Sequence, residues 1–380
     1  MKDKIRVGIL FGGRSAEHEV SIQSAKNILD AINKDKYEVV LLGIDRAGRW
    51  YLNDRSIPLL ESGRGLPNLR GDGATEVAIA PRGDSTQLVD LSANKGIGTL
   101  DVVFPVLHGP YGEDGSVQGL CRLANIPCVG AGVLGSAVGM DKDVMKRLLR
   151  DAGIPTARFL TVPRGGFPGA GFSYREVSRE LGLPFFVKPA NLGSSVGVSK
   201  VSNAVEYTAA VELAFRYDSK VLLEEFIRGR EVECSVLGNA DPIASVPGEI
   251  IASHDFYDYD AKYLDEHGAK LEIPARLDPE TTEEVRRVAV RSFAVLCCEG
   301  MARVDMFVEE AERDEKAAAS TAGRVVVNEI NTIPGFTRIS MYPKLWEASG
   351  ISYSELIDRL ISLAMERFRT EQGLETSAPA

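Results

Sequence analysis

The stretch IRVGILFGGRSAEHEVSIQSAKNILDAINKDKYEVVLLGID (5–45) decides how this chain begins to fold. Its first apolar run, Ile5 to Phe11, ends in Gly12-Gly13. An amphipathic stretch from about Ser15 to Ile32 follows, and then a second apolar run over 37–45. Strand, glycine turn, helix and strand in that order open a parallel α/β sheet, because parallel neighbours need a crossover of helical length. A further apolar run, DVVFPVLHG (101–109), predicts another buried strand that opens into the polar loop HGPYGEDGS (108–116). Loops at the carboxyl ends of such strands are where α/β sheets bind ligands.

Between these runs, 53–100 is rich in Gly, Pro, Arg and Asp with weak periodicity, so short strands and loops are expected there. Gly130-Ala131-Gly132-Val133-Leu134-Gly135 matches the GxGxxG dinucleotide fingerprint and follows the short strand IPCV (126–129). It reads as a decoy. The helix after it is short and interrupted by glycine, and the next strand, ARFLTV (157–162), has no acid at its end for a ribose. Beyond it a helix is capped by Asp141 and stopped by Gly153 and Pro155, with Val144, Leu148 and Ala152 on one face with Met145 and Leu149. Lys142 falls in its first turn, where a lysine opposes the helix dipole. Lys142 is therefore either aimed at an anion or an ordinary solvated lysine.

The pattern then gives strand, helix, strand (LPFFVKP, 183–189), glycine loop, strand, helix and strand (KVLLEEF, 220–226). The remainder is strand-rich: EVECSVLG (231–238), ASVPGEIIA (244–252), a long loop around 254–274 and a helix over 281–297. Two strands follow, RVDMFVE (303–309) and RVVVNEINT (324–332), separated by the charged, alanine-rich tip ERDEKAAASTAGR (312–324). A last amphipathic helix is expected over about 353–369. The resulting boundaries are 1–141 for an N-terminal α/β domain, 142–231 for a small central α+β domain, 232–370 for a C-terminal α+β domain and 371–380 for a tail.

At 380 residues the chain has room for two or three cores, and 44% apolar with 26% charged residues is ordinary for a soluble protein. A formal charge of −10 argues against nucleic acid as a partner. The five cysteines, Cys121, Cys128, Cys234, Cys297 and Cys298, form no CxxC pair and read as reduced, small apolar residues. Val7 to Phe11 is too brief for a signal-peptide core, and no stretch approaches the roughly 20 apolar residues of a membrane span. A cytoplasmic protein with no membrane association is expected.

The chemistry concentrates in the two late strands. Residues i and i+2 of a strand share a face. Arg303 therefore projects with Asp305, and Glu329 with Asn331, while Asn328 and Ile330 point away. If the strands pair as a hairpin, one face carries Arg, Asp, Glu and Asn among apolar residues. Carboxylate and amide oxygens without His or Cys suit a hard cation; an Arg–Asp/Glu network on an exposed face is the other reading. The second signal is Lys188-Pro-Ala-Asn-Leu-Gly193-Ser-Ser-Val-Gly197, whose small loop can turn backbone N–H groups toward phosphate oxygens. GxxxxGK[ST] is absent from the chain. Glu224 and Glu225 end an apolar strand and Glu231 lies just past it, where a hinge between domains could meet an adenine and a ribose, or form a plain acidic loop.

Taken together, FGGRSAEHEVS (11–21), HGPYGEDGSVQG (108–119), MDK (140–142), VKPANLGSSVGVSKV (187–201), FYDYDAKY (256–263), ARVDMFV (302–308) and NEINTIPGFTRISMYP (328–343) resemble the D-alanine–D-alanine ligases of the ATP-grasp superfamily. The resemblance spans nearly the whole chain except 53–100 and 311–324. It implies a three-domain ATP-grasp architecture and ligation of two D-alanines through an acyl phosphate, with release of ADP and phosphate. It places ATP between the last two domains, with Lys142, Lys188 and Ser195 around its phosphates, Glu224 and Ile227 at the adenine and Glu231 at the ribose. Asp305, Glu329 and Asn331 would hold two Mg²⁺ ions, with Mn²⁺ as a substitute.

The same resemblance puts Glu17 on the ammonium of the first D-alanine, in a set with Ser194 and Tyr263, and Ser340 with the Met341 backbone on the carboxylate of the second. Lys262 would reach the γ-phosphate from a closing loop, and Arg303 with the Gly335 N–H would meet the oxyanion. His108 is expected near the second substrate, His18 at the solvent and Cys297-Cys298 in the core. A homodimer is implied. A relative adding D-serine or D-lactate as second substrate is the alternative, although Lys262-Tyr263 resembles the alanine-adding members. A non-catalytic nucleotide-binding regulator would show erosion at metal or substrate positions, and none is found.

Overall fold

A computed structural model describes residues 4–52, 75–81, 87–167, 169, 172–252, 269–309 and 324–375. Lys262, Tyr263, the rest of the 256–263 motif and the 312–323 tip lie outside these residues, as does all of 53–74. The described chain forms three sheets, each from consecutive strands. The first comprises β1 (Ile5–Gly12), β2 (Tyr37–Ile44), β3 (Trp50–Leu52), β4 (Thr75–Ile79), β5 (Leu88–Asp90), β6 (Lys95–Gly98) and β7 (Val102–Pro105). Its order is β6-β5-β4-β3-β2-β1-β7, and β1 runs parallel to both β2 and β7. Helix α1 (His18–Ala31) is the crossover from β1 to β2.

Three helices follow: α2 (Ser116–Leu123), α3 (Val133–Met140) and α4 (Lys142–Asp151). The GxGxxG match lies at the start of α3, and its last glycine is a packing device. A Cβ on Gly135 would stand 2.4 Å from the Cys297 carbonyl oxygen, so only glycine lets α3 approach that turn. Helix α4 is capped by the Asp141 side chain, which accepts from the N–H groups of Asp143 and Val144. Its buried stripe is narrower than periodicity predicts. Met145 and Leu149 are fully buried, whereas Val144 and Leu148 are exposed. The place beside Met145 belongs instead to Lys146, which is buried because a carboxylate awaits it below.

The second sheet contains β8 (Phe159–Pro163), β9 (Phe185–Pro189), β10 (Ser199–Val201) and β11 (Lys220–Glu225) in the order β10-β9-β11-β8. Helices α5 (Tyr174–Leu181) and α6 (Ala204–Ala214) supply Val177, Leu181, Ala210 and Val211 to its core. The third sheet contains β12 (Gly229–Gly238), β13 (Ile243–Ala244), β14 (Gly248–Ala252), β15 (Ala269–Glu272), β16 (Gly300–Glu309) and β17 (Val325–Asn331). Its path is β15-β14-β12-β16-β17, with β13 on β12. Helix α7 (Pro279–Val295) covers one face through Val285, Val288 and Phe293, and Met145 and Leu149 of α4 join that core.

The chain ends in α8 (Met341–Ala348) and α9 (Tyr353–Gln372). Leu356, Ile357, Leu360 and Ile361 of α9 pack with Val7, Ile9, Phe11 and Phe104 of the first sheet, and Phe336 and Trp346 sit in the same cluster. The loop after β17 is thereby tied to the first sheet. Two expectations change here. Cys298 is buried, but Cys297 is exposed. The helix has already ended at Val295, and Cys297 takes a φ of 54° that turns it outward. His18 is 2% exposed. As the first residue of α1 its ring folds against the glycine turn, and Nδ1 lies 2.8 Å from the Gly13 carbonyl oxygen.

Candidate active site

The late strands pair antiparallel, with Arg303 opposite Asn331 and Asp305 opposite Glu329. On the other side β12 sets Glu233 opposite Asp305 and Ser235 opposite Arg303. A row of three carboxylates, Glu233, Asp305 and Glu329, therefore crosses three neighbouring strands. Like charges directly opposite each other are destabilising unless cations are supplied. Arg303 supplies one. Its Nε lies 2.7 Å from Asp305 Oδ1 and 2.9 Å from Glu233 Oε2, and its Nη2 donates to Asp305 Oδ2 at 2.8 Å. Burial works to lower the Arg303 pKa, but Asp305 and Glu233 outweigh it and raise it well above its usual value.

Strict alternation fails at one residue. The register shifts between Asp305 and Met306, which pair with Glu329 and Val327, leaving Asn328 as the extra residue of a bulge. Asn328 is consequently not turned away from the site: its Oδ1 accepts from Lys188 Nζ at 3.2 Å. Lys142 reaches the same strand, with Nζ 3.0 Å from Glu329 Oε2 while it donates to the Leu192 carbonyl at 2.9 Å. Burial depresses the Lys142 pKa most, yet Glu329 and then Glu224 and Glu113 overcome it, so the net shift is upward. Lys188, the last residue but one of β9, forms an ion pair with Glu224 Oε1 on the neighbouring β11.

The loop after Lys188 carries Ser194 and Ser195 at φ of 54° and 57°. Two successive non-glycine residues in the left-handed region cost on the order of 1–2 kcal/mol each, strain that is usually held at ligand-binding turns. Ile227 is buried against Ala157 and Val326, and Glu231 is partly exposed on β12. Glu17, the residue before α1, joins three loops: its Oε2 lies 3.4 Å from where a Cβ would stand on Gly109 and 3.6 Å from the same point on Gly193. His108 is buried beside it, with Nδ1 3.0 Å from the Ile333 carbonyl oxygen. Burial lowers its pKa, opposed by the negative charge of Glu17.

Gly335 and Ser340 share the turn before α8. A Cβ on Gly335 would stand 2.7 Å from Ser340 Oγ, which already accepts from the Thr337 N–H at 3.0 Å. Met341 opens α8, so its N–H is one of the unpaired amides at the positive end of that helix. The structure thus gathers Glu17, His108, Lys142, Lys188, Asp305, Glu329, Asn331 and the 335–341 turn around one region, Arg303 among them.

Sequence reasoning missed four polar residues here: Glu113, Lys146, Glu233 and Asn328. Glu233 was legible as the i+2 neighbour of Glu231, and Lys146 as the i+4 neighbour of Lys142. Glu113 is buried, accepts from the Gly109 N–H at 2.6 Å through Oε2, and is pushed up to about 8 by burial and then by Glu17.

Donor chemistry tests whether a cation fits. Asp305 and Glu329 face each other and Asn331 lies two residue pairs further along, all oxygen donors, but among the described residues no three acid, His or Cys side chains form a cage. Two carboxylates with the remaining ligands from phosphate oxygens is how Mg²⁺ is commonly held. The residues fit such an ion.

The family model for the D-ala D-ala ligase N-terminus matches residues 6–131, and that for the D-ala D-ala ligase C-terminus matches 148–362. D-alanine–D-alanine ligase A of Escherichia coli strain K12 is 52% identical over 375 residues, covering 99% of this chain and all of that protein. Among solved structures, the D-alanine–D-alanine ligase from Coxiella burnetii is similar at 40% identity and a TM-score of 0.82, covering 97% of each chain. The VanG D-Ala:D-Ser ligase from Enterococcus faecalis is similar at 37% identity and 0.83, covering 95% of this chain and all of that one. Among the described residues no helix is long and apolar enough to cross a membrane.

Proposed function

The chain belongs to the D-alanine–D-alanine ligase family and has its ATP-grasp fold, and from that premise we infer that it is an enzyme joining two D-alanines into D-alanyl-D-alanine at the expense of ATP, for peptidoglycan precursor synthesis. The observation that carries the reading is the pairing of Asp305 with Glu329 on adjacent strands while Lys142 and Lys188 converge on the same end of β17. A triphosphate there would meet two ammonium groups and an oxygen-rich cation site.

In this reading Lys142 and Lys188 bind the phosphates, with the 193–197 amides and Ser195 closing around them. Glu224, Ile227 and Glu231 line the nucleoside end. Asp305, Glu329 and Asn331 would hold two Mg²⁺ ions, or Mn²⁺ in their place, which neutralise charge on the transferring phosphoryl group. Glu17, supported by Ser194 and Tyr263, holds the ammonium of the first D-alanine so that its carboxylate faces the γ-phosphorus. Attack there gives an acyl phosphate and ADP. Ser340 and the Met341 N–H bind the carboxylate of the second D-alanine, whose amine attacks the acyl carbon once it has lost a proton. Arg303 and the Gly335 N–H receive the oxyanion, and phosphate leaves. His108 borders the second substrate. Lys262, which lies outside the described residues, would meet the γ-phosphate. The enzyme works in the cytoplasm as a homodimer.

Likeness to a D-Ala:D-Ser ligase supports one second reading, D-serine as the incoming amine. Phosphate release from ATP with D-alanine, with L-alanine, and with D-alanine plus D-serine or D-lactate tests both. Release with D-alanine alone, yielding the dipeptide, is expected. No release with D-alanine would sink the proposal, and a mixed product exceeding the D-alanyl-D-alanine formed would favour the second reading.

A further inference from the structure

Lys146 is completely buried, one turn along α4 from Lys142. A charged lysine is costly to hold out of water unless an anion meets it. The anion is Glu224, itself 2% exposed, with Oε2 2.8 Å from Lys146 Nζ. At that distance the two groups form a close, buried ion pair. The other oxygen of the same carboxylate, Oε1, holds Lys188 Nζ. One carboxylate thus stands between two ammonium groups. Only one of these faces outward: the Lys188 side chain is 12% exposed and that of Lys146 is 0%.

The two cations are not equivalent partners. Lys188 has a second ligand in Asn328 and is partly exposed, whereas the fully buried Lys146 has Glu224 as its one ion-pair partner among the described residues. If Glu224 had Lys188 as its only counter-ion, a phosphate drawing Lys188 away would strand a buried carboxylate. With Lys146 below, Glu224 stays paired throughout. We propose that Lys146 is a positioning residue of the nucleotide site: it retains Glu224, so that Lys188 can exchange its carboxylate partner for a phosphate oxygen. The inference rests on the ATP reading for its ligand, and it assigns Lys146 no contact with ATP.

Calorimetric binding of the non-hydrolysable analogue β,γ-imido-ATP with Mg²⁺ to the full chain tests it. Lys146→Met keeps most of the unbranched side chain, one atom shorter, and removes the charge, and it should weaken binding by on the order of tenfold while leaving the KM for D-alanine unchanged. Lys146→Arg should restore binding. In a Glu224→Gln background the same Lys146→Met change should alter Kd less than about twofold, because the carboxylate that would trap Lys188 is gone. A merely structural lysine would lower Tm and leave Kd alone. Wild-type Kd in folded Lys146→Met overturns the inference; should that variant fail to fold, the same result in Lys146→Gln does so. Failure of the wild-type protein to bind the analogue would overturn the ATP reading itself, and the inference with it.

Discussion

Replacing Glu113 by Gln should flatten the dependence of stability on pH. Glu113 is 7% exposed, and its Oε2 receives the Gly109 N–H. Burial, and secondly the neighbouring charge of Glu17, raise its pKa from an ordinary 4.5 to about 8. The unfolded chain gives up this proton above about 4.5 while the folded chain keeps it until about 8. The stability contributed by the protonated carboxyl is therefore fully present below the unfolded value and is lost as pH rises through the folded one. At about 1.4 kcal/mol per unit the whole loss is on the order of 5 kcal/mol. Gln mimics the protonated carboxyl and does not titrate. Urea unfolding of both proteins from pH 5 to pH 9 should show the stability difference shifting by several kcal/mol in favour of the variant. A companion Glu17→Gln change, removing the nearby charge, should make the wild-type loss smaller. Parallel pH profiles for wild type and Glu113→Gln would refute the reasoning, because they would mean that the carboxylate is already ionised in the fold.

Other tests reach different parts of the molecule. Glu329→Gln should lower kcat by at least about a hundredfold with an intact circular-dichroism spectrum, and wild-type-like turnover would remove Glu329 from the cation site. Gly335→Ala would thrust a methyl group at Ser340 Oγ, 2.7 Å away, so the KM for the second D-alanine should rise with little change in binding of ATP; equal KM values would dissociate this turn from the substrate. Gly135→Ala meets the Cys297 carbonyl at 2.4 Å and should cost about 1–3 kcal/mol by denaturant unfolding. A cost below about 0.5 kcal/mol, the scatter of ordinary surface changes, would show that α3 can move away freely.

Much of the architecture was legible because the signals were long and local. The 5–45 pattern yields β1, α1 and β2 directly, and period-two alternation in 303–309 and 324–332 yields the faces of β16 and most of β17. What stayed hidden depended on contacts made far along the chain. Alternation cannot foresee the bulge that turns Asn328 toward Lys188, since an extra residue is a property of the pair of strands. Nor can helical periodicity foresee that Lys146 takes an interior place while Val144 and Leu148 stay outside. Glu224, on another sheet, decides that. His18 failed for a related reason: its polarity suggested solvent, but the Gly13 carbonyl supplies a partner indoors.

The same distant contacts explain how a chain of net charge −10 can present a site to a polyanion. Overall charge sets the far field, but at contact distance the arrangement of a few buried ions prevails. Lys142 is matched with Glu329, and Lys188 and Lys146 share Glu224, so three ammonium groups are held by two carboxylates and one net positive charge is left facing the site. Each of the two outward-facing lysines is also bonded to a neutral oxygen, Leu192 O for Lys142 and Asn328 Oδ1 for Lys188. A lysine tethered in this double fashion can give its carboxylate up to a cation or to another lysine and accept a phosphate without losing its position. Glu329 would then be released toward a hard cation as Lys142 turns to phosphate, and Glu224 retained by Lys146 as Lys188 does the same. Nucleotide and cation would accordingly bind with positive coupling, each supplying the counter-charge that the other displaces. Binding of the ATP analogue measured across a Mg²⁺ titration should show that coupling, and Glu329→Gln should weaken it; unchanged coupling in that variant would refute the exchange.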